Sequence, residues 1–179
     1  MATLAELLAS SLAALKQVQQ SGDFTIVKSG ELSPTHLKRL LANHFLMPVI
    51  KGWYIVTDPR AVPGDSTAWY ASFWNFILRY ATERYGKEWC LSAEQSLAIY
   101  SGSTTVPKQV LIRSPKGNNN SLELLPPTSL FNLEAALPSR IDTDNPYRLN
   151  LYPLAEAIIA ATPAIYKSDA TTMRTALSL

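Results

Sequence analysis

The segment ELSPTHLKRLLANHFLMPVIKGWYIVT, Glu31 to Thr57, decides how the chain is read. Ser33 is placed to cap a helix and Pro34 to begin it. A hydroxyl at the first position accepts from orphan amides, and proline has no amide to lose. Leu37, Leu40 and Leu41 recur at three- and four-residue spacing and form one apolar stripe. Thr35, His36, Lys38, Arg39 and Asn43 fall largely off it. The pattern ends the helix near Asn43 or His44. Two short apolar runs follow, Phe45 to Ile50 and Trp53 to Val56, joined through Lys51-Gly52. Glycine in so short a link supplies the positive φ of a tight hairpin. A short helix with a partly basic face, followed at once by a basic-tipped hairpin, predicts a winged helix-turn-helix. In that motif the helix enters the major groove and the hairpin flanks the backbone.

Upstream, Thr3 to Gln20 predicts a first helix with a stripe of Leu4, Leu7, Leu8, Leu12, Leu15 and Val18. Ser21-Gly22-Asp23 ends it, and Phe24 to Val27 is a short β-prone run suited to pair with a wing. Downstream, Pro59 to Asp65 holds two prolines and a glycine and marks a domain boundary. The expected organisation is α+β. Residues 1–60 form the winged helix-turn-helix, and residues 61–179 a small mixed α/β domain.

In that second part Ser66 is expected to cap a helix reaching Tyr85. Its Trp69, Tyr70, Phe73, Trp74, Phe76, Ile77 and Tyr80 read as core rather than as a ligand box. Arg79, Glu83 and Arg84 are placed toward solvent. Gly86 breaks the helix. Ser92-Ala93-Glu94-Gln95 has the form of a capping box and opens another helix to Gly102. Gln109 to Arg113 and Ser121 to Leu125 read as strands, with Ser114 to Asn120 between them as a loop. Pro126-Pro127 stops the second strand. Thr128 to Leu137 reads as a short helical turn and Tyr147 to Tyr152 as a strand. Pro153 starts a helix that Thr162-Pro163 interrupts. A last helix is expected from Lys167. It reaches Leu179 without a capping signal, the pattern of a chain cut from a longer parent.

Composition bounds the function. The 179 residues are 47% hydrophobic and 17% charged, with a net charge of +2. That is globular, and too weakly basic for a nonspecific nucleic-acid coat, so any DNA contact must come from local clustering. Before Gly64 the basic residues Lys16, Lys28, Lys38, Arg39, Lys51 and Arg60 outnumber Glu6, Asp23, Glu31 and Asp58. Cys90 is the single cysteine, so no internal disulfide or cysteine-cluster zinc site can form. With no signal-peptide pattern and no long apolar run, a cytoplasmic protein without a membrane partner is expected.

No phosphate-binding glycine loop or nucleophile elbow is present, and Ser66, Ser92 and Ser114 lack the latter's setting. His36 and His44 cannot chelate one metal without acidic help that is not nearby. Asp142 and Asp144 read as a solvated turn, and Cys90 as a buried, inert thiol. No enzyme activity, metal or cofactor is expected. The basic residues carry the functional expectation. Lys28, Lys38, Arg39 and Lys51 would neutralise phosphates, Ser33 and Thr35 would donate hydroxyls near the helix start, and Thr35, His36 and Arg39 would reach base edges. Arg113, Lys116 and the asparagines after it form a second, weaker set.

Leu32 to Val56, ending Lys51-Gly52-Trp53-Tyr54, resembles the N-terminal winged helix of AbiEi-type antitoxins. Trp89 to Leu97, and Val106-Pro107 before Val110 to Arg113, resemble that family's second domain. STAWYASFWNF, EWCLSAEQSL and VLIRSPKG further resemble the N-terminal extension of certain bacterial Fic-family proteins. The resemblance implies a DNA-binding, toxin-antitoxin-like regulatory module. It would be an autorepressor, or the regulatory region ahead of an AMP-transferase, with operator DNA and a toxin or Fic domain as partners. The Fic motif, His-Pro-Phe with a downstream Gly-Asn-Gly-Arg, is absent from these residues, so that activity does not carry over. Two rival expectations are a docking module that binds a toxin or Fic domain without DNA, and, less favoured, a nucleotidyl-transferase-like enzyme using Asp142 and Asp144.

Overall fold

The computed structural model describes residues 3–21, 25–62 and 64–179. The fold is α+β, with seven helices and two sheets among the described residues. The chain divides into two compact units, residues 1–76 and 77–179.

In the first unit α1 spans Leu4–Ser21 and β1 Ile26–Lys28, followed by a 3-10 turn over Ser29–Glu31. The expected turn at Gly22-Asp23 and the start of the β-run at Phe24 lie outside the described residues. Helix α2 is Pro34–Ala42, and Ser33 Oγ accepts the His36 amide, so the cap and the proline act as their positions predict. Asn43 closes the helix, its Nδ2 donating to the Arg39 carbonyl at 2.8 Å, and His44 turns the chain at φ 59°. Strands β2 (Leu46–Ile50) and β3 (Trp53–Val56) follow, joined by Lys51-Gly52 with Gly52 at φ 81°.

The sheet order is β1-β3-β2, antiparallel throughout. Pro48 sits in an edge strand, where its missing amide costs no ladder bond. Alternation gives the sheet two apolar faces. Val27, Tyr54, Val56 and Leu46 pack with Leu12, Leu15 and Val18 of α1 and Leu37, Leu40 and Leu41 of α2. Leu4, expected on the same stripe, is instead 87% exposed. Ile26, Trp53 and Ile55 point the other way and are buried.

Helix α3 (Thr67–Tyr85) begins where Asp65 Oδ1 accepts the Thr67 amide at 2.8 Å, so the carboxylate caps in place of the expected Ser66 hydroxyl. Its first half covers the second face of the sheet. Phe76 meets Trp53 edge-on at 5.7 Å, and Trp69 meets Phe73 and Phe76 at 5.3 and 5.5 Å. These contacts tie the first half of α3, to Phe76, to the first compact unit.

The second unit holds β4 (Cys90–Leu91), α4 (Ala93–Tyr100), β5 (Gln109–Ser114), β6 (Asn120–Glu123) and β7 (Ser129–Glu134). Helices α5 (Leu154–Ala160), α6 (Ile165–Ser168) and α7 (Ala170–Ala176) complete it. The sheet order is β4-β5-β7-β6, with β7 parallel to β5 and antiparallel to β6. Residues 128–137, expected as a helical turn, supply this interior strand. Its alternation puts Leu130 and Asn132 inward, and the polar Asn132 disguises the pattern. Tyr147 to Tyr152, expected as a strand, forms only one isolated bridge, Leu151 to Asp142. Leu149 and Leu151 are buried, but the ladder is replaced by side-chain work: Asn150 Nδ2 donates to the Trp89 carbonyl at 2.9 Å. Ser92 caps α4 through the Gln95 amide, while the Gln95 side chain leaves the expected box. It pairs with the edge of β5, donating to the Gln109 carbonyl at 2.9 Å and accepting the Leu111 amide at 3.1 Å. Cys90, Ala93, Leu97, Tyr152, Ala157, Ala161, Ile165, Met173 and Ala176 form the helical core. No helix of the described residues is long and apolar enough to cross a membrane.

Candidate nucleic-acid interface

Helix α2 buries Leu40 and half-buries Leu37 and Leu41, so the residues one turn apart on the other side must face out. Pro34, Thr35, Lys38, Arg39 and Ala42 line one surface groove along that side. Thr35 and Lys38 are exposed, and their side chains have no partner among the described residues. Ser33 is exposed beside them, its oxygen occupied by the His36 amide at 3.3 Å. Its proton remains available to donate.

His36 and Arg39 are placed differently. Both reach across to Ser11 on α1, which is fully buried. Ser11 Oγ lies 3.0 Å from His36 Nδ1, and Arg39 Nη1 donates to Ser11 Oγ at 2.8 Å and to the Leu7 carbonyl at 2.9 Å. Ser11 Oγ also donates to the Leu7 carbonyl at 3.0 Å. Sequence reasoning missed Ser11, which lies in a leucine-rich stripe and carries no charge or motif.

The hairpin tip is tied to the entry of α2. The Ser29 amide donates to the Gly52 carbonyl at 3.0 Å. Only three residues then separate Ser29 from the cap Ser33, a backbone span of at most about 14 Å even when fully extended. Lys51 is exposed at this tip. Lys28 stands in register with Trp53 and lies over its ring at 5.2 Å, so its charge is partly engaged by the aromatic face. Glu31 Oε2 accepts the Lys28 amide at 2.8 Å. Arg60 pairs with Asp58 in a two-point contact at 3.0 and 3.1 Å, which lowers the Asp58 pKa and raises that of Arg60. Among the described residues, the candidate cations of this unit without a partner are therefore Lys38 on α2 and Lys51 at the hairpin tip.

The second set has a structural use. Arg113 lies over the Tyr152 ring at 5.7 Å and donates to the Ala136 carbonyl at 3.3 Å, so it is turned inward. Lys116 is paired with Glu88. Asn118 Oδ1 and Asn119 Oδ1 accept the amides of Asn120 and Glu134, closing the loop between β5 and β6. Asp142 is likewise occupied: Oδ1 accepts the Asp144 amide at 2.9 Å and Oδ2 the Tyr100 hydroxyl at 2.7 Å. Among the described residues no three His, Cys, Asp or Glu side chains group to hold a metal. Burial pushes the Cys90 thiol up to about 12.

Comparison with protein-family models, curated proteins and solved structures finds no match to this chain.

Proposed function

We propose that the first unit is a winged-helix DNA-binding module, serving an antitoxin-like autorepressor or the regulatory region of a Fic-family AMP-transferase. The observation that carries this reading is the short tether between the Lys51 hairpin tip and the cap of α2. The B-DNA major groove is about 12 Å wide. A helix entering it by its Thr35 and Lys38 face, with the hairpin tip held at Ser29 just ahead of its cap, can place the Lys51 cation on a flanking phosphate. The helix-strand-turn-helix-hairpin order and the β1-β3-β2 sheet agree with this reading. The likeness of Lys51-Gly52-Trp53-Tyr54 to AbiEi-type wings supports the antitoxin assignment. A gel shift with the DNA upstream of the protein's own gene tests it. Binding that weakens steeply with salt is expected; no shift at low salt overturns it.

A docking role for the second unit is the alternative. Ile159 and Leu177, at 84% and 62% exposure, offer apolar contact on its C-terminal helices. Co-purification with a toxin or Fic domain, together with no DNA shift, favours that role.

A further inference from the structure

Arg39 Nη1 donates to two acceptors on α1, the Leu7 carbonyl and Ser11 Oγ. Nη1 is the nitrogen cis to Cδ. The opposite edge of the guanidinium, Nε–H beside Nη2–H, has no partner among the described residues. These contacts anchor one end of a rigid planar group on α1, which restricts how the opposite edge can turn before any ligand arrives. Arg39 borders the groove with Pro34, Thr35, Lys38 and Ala42, and a second groove with Leu4, Ala5, Leu8 and Asn43. It is half-buried and lines both grooves.

We infer that Arg39 is a specificity-determining residue whose Nε–Nη2 edge takes O6 and N7 of a guanine, and that Ser11 is its positioning residue. The inference rests on the DNA-binding reading and goes beyond it by naming the base and the device that aims at it. A planar fork matches two in-plane acceptors, and arginine on guanine is the commonest specific contact in the major groove. A phosphate presents two acceptors as well, but it can also be neutralised by a mobile point charge such as the Lys38 ammonium, without a preset plane. Fixing the side chain in the free protein also removes the entropy cost of ordering it on binding.

The test uses the full chain, the duplex upstream of its own gene and a scrambled duplex of equal length and composition. Arg39→Lys keeps the charge and removes the fork. It should lower the ratio of the two affinities about tenfold or more, the value of one good bidentate pair. Ser11→Ala should lower the ratio in the same direction by less, and Lys38→Ala should weaken both duplexes alike. A readout independent of variant folding uses the wild-type protein with 7-deazaguanine in place of guanine at each position of the upstream duplex. Loss of affinity at one position is the expected result. An unchanged ratio in Arg39→Lys, equal weakening on both duplexes, or indifference to every 7-deazaguanine overturns the guanine contact. An unchanged ratio in Ser11→Ala overturns the positioning role. If the wild type binds neither duplex, the DNA-binding reading itself has failed.

Discussion

The Tyr85 hydroxyl donates to Asn132 Oδ1 at 2.8 Å, inside the second unit, where both residues are almost fully buried. The phenol also accepts from Arg84 Nε at 3.0 Å. An interior strand can carry an asparagine on its core face only if such a partner satisfies it. Tyr85→Phe keeps the ring and leaves Asn132 Oδ1 without this donor. It should cost about 1–3 kcal/mol, the price of an orphaned buried acceptor, read as a lower midpoint in urea with unchanged slope. A midpoint equal to wild type would show that water or another donor replaces the phenol.

Gly117 is held by sterics rather than by φ. A Cβ there would stand 2.4 Å from the Leu133 carbonyl and the Glu134 amide, because the loop from β5 to β6 crosses directly over β7. Gly117→Ala must push backbone against backbone and should destabilise by about 1–3 kcal/mol. Gly30→Ala is the control, since an added Cβ meets nothing within 4 Å at that position. Equal denaturation midpoints for the two variants would sink the crossing geometry.

These two sites mark where the sequence was legible and where it was not. Cap, proline, leucine stripe and hairpin glycine are all local signals, so α2, β2 and β3 could be read within a few residues of where they lie. Asn132 interrupts the alternation of β7, and the residue that satisfies it is 47 positions away. Gln95 has the form of a helix-capping partner, yet its amide satisfies a strand edge instead. The candidate site divides in the same way. Lys38 and Lys51 face outward as residue type and period suggest. The turning of His36 and Arg39 toward α1 depends on Ser11, 25 and 28 positions earlier, and no periodicity encodes that pairing.

Asp142 sets a pH dependence. The Asp144 amide and then the Tyr100 hydroxyl hold its carboxyl below the ordinary 3.8, so its contribution is present above that value and lost as pH falls through the lower folded one. Burial, then the bond to Asp142, raises the Tyr100 phenol above 10.0, so that contribution is intact below pH 10.0 and lost as pH rises beyond it. Tyr100→Phe should therefore flatten stability at both ends of the pH range, whereas Asp142→Asn acts chiefly at the acid end. Thermal melts across pH check this; parallel curves for wild type and both variants would contradict it.

Cys90 is fully buried, and its thiol is pushed up to about 12, so little thiolate exists near neutrality. Under native conditions an aromatic disulfide reagent should label it only as fast as the second unit opens, and at once in denaturant. Because the label reports opening of that unit, destabilising variants such as Gly117→Ala should raise the logarithm of its rate in proportion to their lost stability. Rapid labelling of the native wild type would mean that the pocket around Cys90 is open.

Lys38 and Lys51 supply a quantitative check on the interface. Each phosphate neutralised on B-DNA contributes about 0.9 to the slope of log affinity against log salt. Lys38→Ala and Lys51→Ala should each lower that slope by roughly one, and the double variant by roughly two, if the two ammonium groups sit on separate phosphates of one duplex. Lys116→Ala removes the same charge from a group paired with Glu88 in the other unit, and should leave the slope unchanged. Titrations at four salt concentrations distinguish the cases. A slope altered equally by all three variants would reduce the effect to net charge, with no role for a built surface.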